Sequence, residues 1–294
     1  GLKIQTIHAF CERVLQAFPV EAGIVPRFTV LDDRTSRGVL AAARDSVFLS
    51  ALQTPGSEIA RAVADVVNRV HADSFEEIMK QVLSRRADLH RYLDNADGID
   101  SAMAVLHARL GIGDHETPAT VLTNLALDRK SYKEFSQALA TGTAKDRERG
   151  AGIANVLMSA QSSLMELRTF YLTKKDEPSA ISGITTKAVA AAAPWLADFI
   201  GTEQQRLVAA LGKLADIERL GATRSLYVLG GEILHAVEAA KRQRGMYDFD
   251  DLIIRTGELL GERPDAAWVL YKLDGGIEHL LVDEAQDTSP AQWQ

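Results

Sequence analysis

The sequence predicts a mostly α protein in which a long helical block sits between two short pieces of an α/β domain. Three observations predict it. From residue 32 to residue 244 apolar residues recur at three- and four-residue spacing, the period of helices packed on helices. Both ends carry short extended runs beside helices, Leu2–Gln5 and Phe28–Leu31 at one end and Ile277–Val282 at the other. The chain has 294 residues, 46% of them apolar and 25% charged, which is enough to build proper cores and too apolar for disorder. The expected division is residues 1–31, 32–244 and 245–294.

At the N-terminus a short strand, Leu2–Gln5, leads into a helix capped by Thr6. Phe10, Val14 and Phe18 form its apolar stripe and Pro19 ends it. Phe28-Thr29-Val30-Leu31 is a second extended piece, and Asp32 and Asp33 mark a helix start. Val39, Leu40, Ala43 and Val47 then form one helical stripe. Ile59, Val63, Val66, Val67 and Val70 form another, introduced by Pro55-Gly56-Ser57. Ser74-Phe75-Glu76-Glu77 has the pattern of a capping box, and Ser131-Tyr132-Lys133-Glu134 repeats it before a helix ending near Gly142. Gly111–Pro118 and Lys174–Gly183 read as loops.

Two longer helices follow, one carrying Leu207, Leu211, Leu214 and Ile217 and stopping at Gly221. The second carries Leu226, Leu229, Ile233, Val237 and Ala240 and runs into Lys241-Arg242-Gln243-Arg244. A helix over Asp251–Leu260, another opened by Pro264 and stopped at Gly275-Gly276, and a strand over Ile277–Val282 complete the pattern.

Composition excludes several classes. No apolar run reaches membrane length, and the alanine stretch Ala188–Ala193 is broken by Pro194. Lys3 and polar residues interrupt any secretory signal, and the single cysteine, Cys11, fits a reducing cytoplasm. The net charge of −7 requires that any contact with nucleic acid come from local basic clusters. Seven histidines are scattered without metal-ligand spacing, so no structural zinc is expected. Gly1, and the abrupt entry into Leu2-Lys3-Ile4, read as a cut through a larger protein.

Chemistry concentrates near the end, where Leu280-Leu281-Val282 runs into Asp283-Glu284-Ala285-Gln286-Asp287-Thr288. An apolar strand that delivers two adjacent carboxylates to a sheet edge suits Mg²⁺ at Asp283 and a water-orienting base at Glu284. The plain alternative is a strand end followed by a helix N-terminus, where acids favour the dipole. Lys241, Arg242 and Arg244 form the densest basic cluster, able either to bind phosphates or to satisfy a helix C-terminus. Asp250 and Asp251 are an acid pair at a helix start that requires no function. Trp195, Trp268 and Trp293 could stack on bases, although the spacing of Trp268 suits a core position.

Val282–Thr288 resembles motif II, the Walker B motif, of UvrD/RecB-like superfamily 1 DNA helicases. Thr6-Ile7-His8-Ala9-Phe10-Cys11, with Phe18-Pro19-Val20-Glu21-Ala22-Gly23, resembles the Thr-x-His segment of the same motor. Tyr247-Asp248-Phe249-Asp250-Asp251-Leu252-Ile253 resembles the Asp-Phe-x-x-Leu segment that precedes motif II. The Phe-Pro-x-Glu-Ala-Gly stretch leans towards the AddA helicase–nuclease branch.

The resemblance implies two pieces of a RecA-like P-loop motor domain flanking an inserted helical subdomain. It implies Asp283 as the Mg²⁺ carboxylate, Glu284 as catalytic base and Gln286 as sensor of the ATP γ-phosphate. Thr6 and His8 would lie on the single-stranded DNA path, although Thr6 also reads as an N-cap and His8 as a satisfied helix-start histidine. ATP, Mg²⁺, single-stranded and duplex DNA, and an AddB-like second helicase/nuclease subunit are the implied ligands and partners. The sequence contains no G-x-x-x-x-G-K-[ST] loop to cradle phosphates. The family places that loop before Thr6, and the second motor domain beyond Gln294, so the isolated chain is expected to be inactive. The alternative from another class is a non-catalytic helical module that binds DNA or protein.

Overall fold

A computed structural model describes residues 5–274, apart from residues 114, 126, 159–163 and 262–263 and the side chains of Asp33 and Asp274. The expected strand over Leu2–Gln5 therefore falls almost wholly outside the described residues, as does the one over Ile277–Val282. Among the described residues the chain is mostly helical. In order the elements are α1 (Ile7–Ala17), β1 (Thr29–Val30), α2 (Asp33–Gln53), α3 (Glu58–Arg69), α4 (Ala72–Ser84), α5 (Arg86–Asn95), α6 (Ile99–Leu110), α7 (Pro118–Asn124), α8 (Arg129–Ala140), α9 (Ala144–Met158), α10 (Leu164–Tyr171), α11 (Ile181–Ile184), α12 (Lys187–Ala192), α13 (Trp195–Arg244), β2 (Met246–Tyr247), α14 (Phe249–Gly261) and α15 (Ala266–Asp274).

These elements form two compact units. One comprises residues 1–95 and 225–294, and the other residues 96–224. Helix α13 contributes to both. The sequence pattern places a stop at Gly221, but the helix continues through it for 50 residues in all. A glycine ends a helix when it adopts the left-handed conformation, and Gly221 does not. Gly245 does, with φ of +62°, and there the helix stops. Within a helix Gly221 costs only about 1 kcal/mol relative to alanine, and the apolar spacing runs across it through Ile217, Leu220 and Val228.

In the first unit, α1 and α14 pack around Val14, Leu15, Phe28, Leu252, Leu259 and Val269. Strands β1 and β2 pair in parallel, Thr29 opposite Met246 and Val30 opposite Tyr247. The Thr29 amide donates to the Gly245 carbonyl at 2.9 Å and the Leu31 amide to that of Tyr247 at 2.8 Å. Segments more than two hundred residues apart are thereby locked in register. Local signals set several helix starts. Thr6 accepts from the Ala9 amide, Asp32 from Thr35 and Ser57 from Ala60. The Ser74 box does not form. Helix α4 starts at Ala72, so Ser74 lies inside its first turn, and Phe75 and Met79 are buried.

The second unit has its own core, built on Tyr132, Phe135, Leu139, Ile153, Tyr171 and Leu207. Helix α8 begins three residues before the sequence signal, at a cap formed by Asp128, which also accepts from the Ser131 hydroxyl at 2.5 Å. Helices α8 and α9 approach closely at Gly150, whose carbonyl accepts from the Ser136 hydroxyl at 2.8 Å.

Asp146 is fully buried. Its carboxylate accepts from the amide and hydroxyl of Thr143 (3.0 and 2.8 Å) and from those of Thr186 (3.0 and 2.9 Å). Burial alone would raise its pKa. The four hydrogen bonds outweigh burial and hold it below the ordinary carboxylate value. The residue ties the start of α9 to the start of α12.

Packing at Gly150 makes a test. A Cβ there would lie 2.9 Å from the Ser136 carbonyl oxygen and 3.1 Å from the Leu139 Cβ, whereas one at Gly152 meets nothing within 4 Å. Gly150→Ala is expected to destabilise by about 1–3 kcal/mol, and Gly152→Ala to stabilise by roughly 0.5–1 kcal/mol. Urea unfolding of the two variants checks both signs.

Candidate nucleic-acid interface

Helices α1 and α14 begin side by side, and their first turns form the candidate interface. Thr6 caps α1, its hydroxyl accepting from the Ala9 amide at 3.1 Å. His8, half-buried in the first turn of α1, meets the Phe249 ring edge-on at a centroid distance of 5.0 Å. Phe249 is the first residue of α14 and remains 47% exposed. The result is an aromatic edge held by the core beneath it, from Val14 and Leu15 to Leu252. In the sequence Phe249 is the aromatic of the Asp-Phe-x-x-Leu segment, but nothing there marks it as exposed. It stands three residues before buried Leu252, so its spacing matches a core position, but it lies one turn beyond the end of the packed stripe.

Directly behind Phe249 lies a buried ionic clasp. Asp248 precedes α14, and its carboxylate accepts from the Asp251 amide at 2.9 Å. Asp251 reciprocates, accepting from the Asp248 amide at 2.8 Å. This is a capping box made of two aspartates. Two cations neutralise it. From the start of α5, Arg86 donates to Asp248 at 2.7 Å, Asp251 at 2.9 Å and Asp250 at 3.1 Å. From the last turn of α13, Lys241 donates to Asp251 at 2.7 Å, Glu238 at 2.9 Å and Asp248 at 3.1 Å.

The charge states follow from this geometry. Burial pushes the Asp248 carboxyl up, but Arg86 and Lys241 outweigh it and hold the pKa below the ordinary value. Asp251 goes the other way, raised by burial and by the charge of Asp248. The pair therefore gives up its first proton readily and its second reluctantly. Burial lowers the Lys241 ammonium, and the charges of Asp251 and Asp248 more than reverse this.

Other expected site residues fall in different places. Lys241 is only 2% exposed and its donors are taken by carboxylates, which removes it from the DNA-contacting set. A buried ammonium facing three acids cannot also neutralise a phosphate. Arg242 and Arg244 are exposed at the C-terminus of α13, where the helix dipole favours cations. Asp250 and Asp251, an acid pair needing no explanation in sequence, are ligands of Arg86. Trp268, expected in the core, is 49% exposed and meets Phe18 edge-on. Trp195 is also partly exposed. Asp283, Glu284, Gln286 and Trp293 lie outside the described residues. Arg86 carries no sequence signal, because Asp248, Asp250 and Asp251, which it bonds, are more than 160 positions away.

Charge is divided unequally along the chain. Residues 96–224 hold fifteen Lys and Arg against fifteen Asp and Glu, so the net charge of −7 belongs wholly to the remaining residues. Neither unit offers a generally basic field, and anion binding must rest on local groups. No helix among the described residues is long and apolar enough to cross a membrane.

The fold and site define a mostly helical protein in which N-terminal and returning segments meet at a parallel strand pair beside a clasped aromatic edge. It belongs to the UvrD/REP helicase N-terminal domain family, whose model matches residues 1–294. It is also similar to the RecBCD enzyme subunit RecB of Mycolicibacterium smegmatis, with 38% identity over 63 residues. That stretch covers 21% of the chain and 6% of the RecB subunit.

Removing one partner of a buried ion cluster leaves the others uncompensated. Arg86→Met is therefore expected to cost about 3–5 kcal/mol of unfolding free energy. The raised Lys241 pKa contributes stability that is fully present below the unfolded value of 10.5 and is lost as pH rises through the higher folded value. Denaturant titrations between pH 8 and pH 11 should show that alkaline loss in the parent and its reduction in Lys241→Met.

Proposed function

We propose that this chain is part of an ATP-dependent 3′–5′ DNA helicase of the AddA-like helicase–exonuclease type, acting in double-strand-break repair and recombination. Membership of the helicase family across residues 1–294 supports the reading. The observation that carries its DNA-contacting part is the exposed Phe249 ring against His8, on the Thr-x-His segment. An aromatic surface of this kind suits the faces of unpaired bases, which stack on it without regard to sequence. Thr6 holds His8 in place through the α1 cap, and Arg242 and Arg244 are the exposed cations offered to phosphates.

In this reading residues 1–31 and 245–294 are pieces of a RecA-like motor domain and residues 32–244 are its helical insertion. Asp283 is the candidate Mg²⁺ ligand, Glu284 the base for water attack on the ATP γ-phosphate, and Gln286 the sensor linking nucleotide to DNA. Mg²⁺ and ATP supply the phosphoryl chemistry in the whole cytoplasmic protein. Duplex DNA and an AddB-like second helicase/nuclease subunit are the proposed partners. The name of the RecB relative, as a subunit of a larger enzyme, supports multi-subunit assembly.

The separate core of residues 96–224 favours a second reading, a non-catalytic helical interaction module. Fluorescence anisotropy with a labelled oligothymidine at two salt concentrations separates the two. Salt-sensitive binding that Phe249→Ala weakens by about tenfold is the expected result. Absence of binding at low salt would leave only the module. The 294-residue chain, with no phosphate-binding loop in its sequence, is expected to show no DNA-stimulated ATPase activity, and measurable turnover would overturn that expectation.

A further inference from the structure

We infer that Arg86 is a positioning residue for the single-stranded DNA contact, setting the first turn of α14 and with it the Phe249 ring, without touching nucleic acid itself. The inference rests on the aromatic-edge reading above and adds a control element to it.

Three features carry it. First, Arg86 is buried and binds every acid of the turn. Its guanidinium reaches Asp248 before Phe249, Asp250 immediately after it, and Asp251 one residue further on. Phe249 is thus bracketed on both sides by residues held by one planar, rigid cation. Arginine suits this role because its fixed fork serves several carboxylates at once, which a lysine cannot reproduce.

Second, the arrangement exceeds what the helix start alone requires. Asp248 and Asp251 already cap α14 reciprocally, and Lys241 already supplies one buried positive charge. The bond from Arg86 to Asp250 adds nothing to the cap. It fixes the exposed side of the same turn, where the Phe249 ring emerges.

Third, Arg86 cannot serve as a phosphate ligand in this arrangement. Its two terminal nitrogens are occupied by Asp248, Asp250, Asp251 and the Leu83 carbonyl. Its nearest exposed neighbour, Asp250, would repel a phosphate. Because Arg86 opens α5, the aromatic edge is mechanically tied to the helical segment that follows β1 in sequence.

The test uses the full chain and a labelled oligothymidine, measured by anisotropy across a salt series. Asp250→Asn is the primary variant, since its side chain is more than half exposed and the capping box remains intact. Removing a negative charge beside bound phosphates would by itself tighten binding. Loosened binding, by roughly threefold to tenfold, is the expected mark of positioning. Arg86→Lys is expected to weaken binding in the same range with the salt slope unchanged, and to add no further loss when combined with Phe249→Ala. Tighter or unaltered binding by Asp250→Asn overturns the inference. So does a fall of about one in the salt slope for Arg86→Lys, which would make Arg86 a direct phosphate contact. Full affinity in Phe249→Ala would instead overturn the aromatic-edge reading on which the inference stands.

Discussion

The first unit depends on the neutralisation of Asp248 and Asp251 by Arg86 and Lys241. Two carboxylates placed side by side in a poorly solvated site repel one another, and leaving either uncompensated costs several kcal/mol. Their position is not optional, because each caps the other's amide at the start of α14. The cations therefore have to be brought in from elsewhere, Lys241 from the end of α13 and Arg86 from α5. That demand closes a loop of more than 160 residues, and it fixes where α14 begins relative to β2. The parallel strand pair and the α1–α14 core rest on the same closure. In such a cluster the gain is better described as specificity than as net stability, since a well-packed apolar substitute is often as stable.

The second unit solves the same problem at Asp146 with hydrogen bonds. Asp146 is buried, and four donors from Thr143 and Thr186 satisfy it. Threonine hydroxyls and helix-start amides provide the partial positive charge that Arg86 and Lys241 provide elsewhere. In the same unit, Tyr132 donates to Glu203 at 2.5 Å, and Arg206 donates to the same oxygen at 2.6 Å. Burial and Glu203 together raise the Tyr132 pKa, so this hydroxyl stays protonated as a donor. The buried carboxylates Asp146 and Glu203 are thus bonded by groups from residues 96–224, in keeping with the balanced charge of that stretch.

How much of this was legible in sequence depended on range. Signals that act over three or four residues were read well, as at the Thr6, Asp32 and Ser57 caps and the Val39-to-Val47 stripe. The Ser74 box failed because competing apolar positions, Phe75 and Met79, set the phase of α4 from its buried face. Gly221 failed because glycine identity alone does not dictate a left-handed conformation, and packing on either side kept the helix running. The site was legible in outline only. Thr6 carries a local capping signal, whereas adjacency in sequence groups Lys241 with Arg242 and Arg244 and does not show that Lys241 alone of the three is buried. Arg86 is invisible in sequence, since nothing local marks an arginine that bonds Asp248, Asp250 and Asp251 from the other end of the chain.

That asymmetry bears on how the candidate interface works. Residues that would meet bases, His8 and Phe249, sit on short stretches whose sequences resemble helicase segments. The residues that hold them, Arg86 and Lys241, come from the helical block between those stretches. An aromatic ring is useful for stacking only when its orientation is set before the base arrives, because ordering it afterwards costs binding free energy. Pre-organisation by a buried, multiply bonded guanidinium meets that requirement, whereas a solvent-exposed ion pair would leave the turn free to fray. If the edge stacks on bases as proposed, the clasp gives the helical block a physical role in that contact without touching DNA itself.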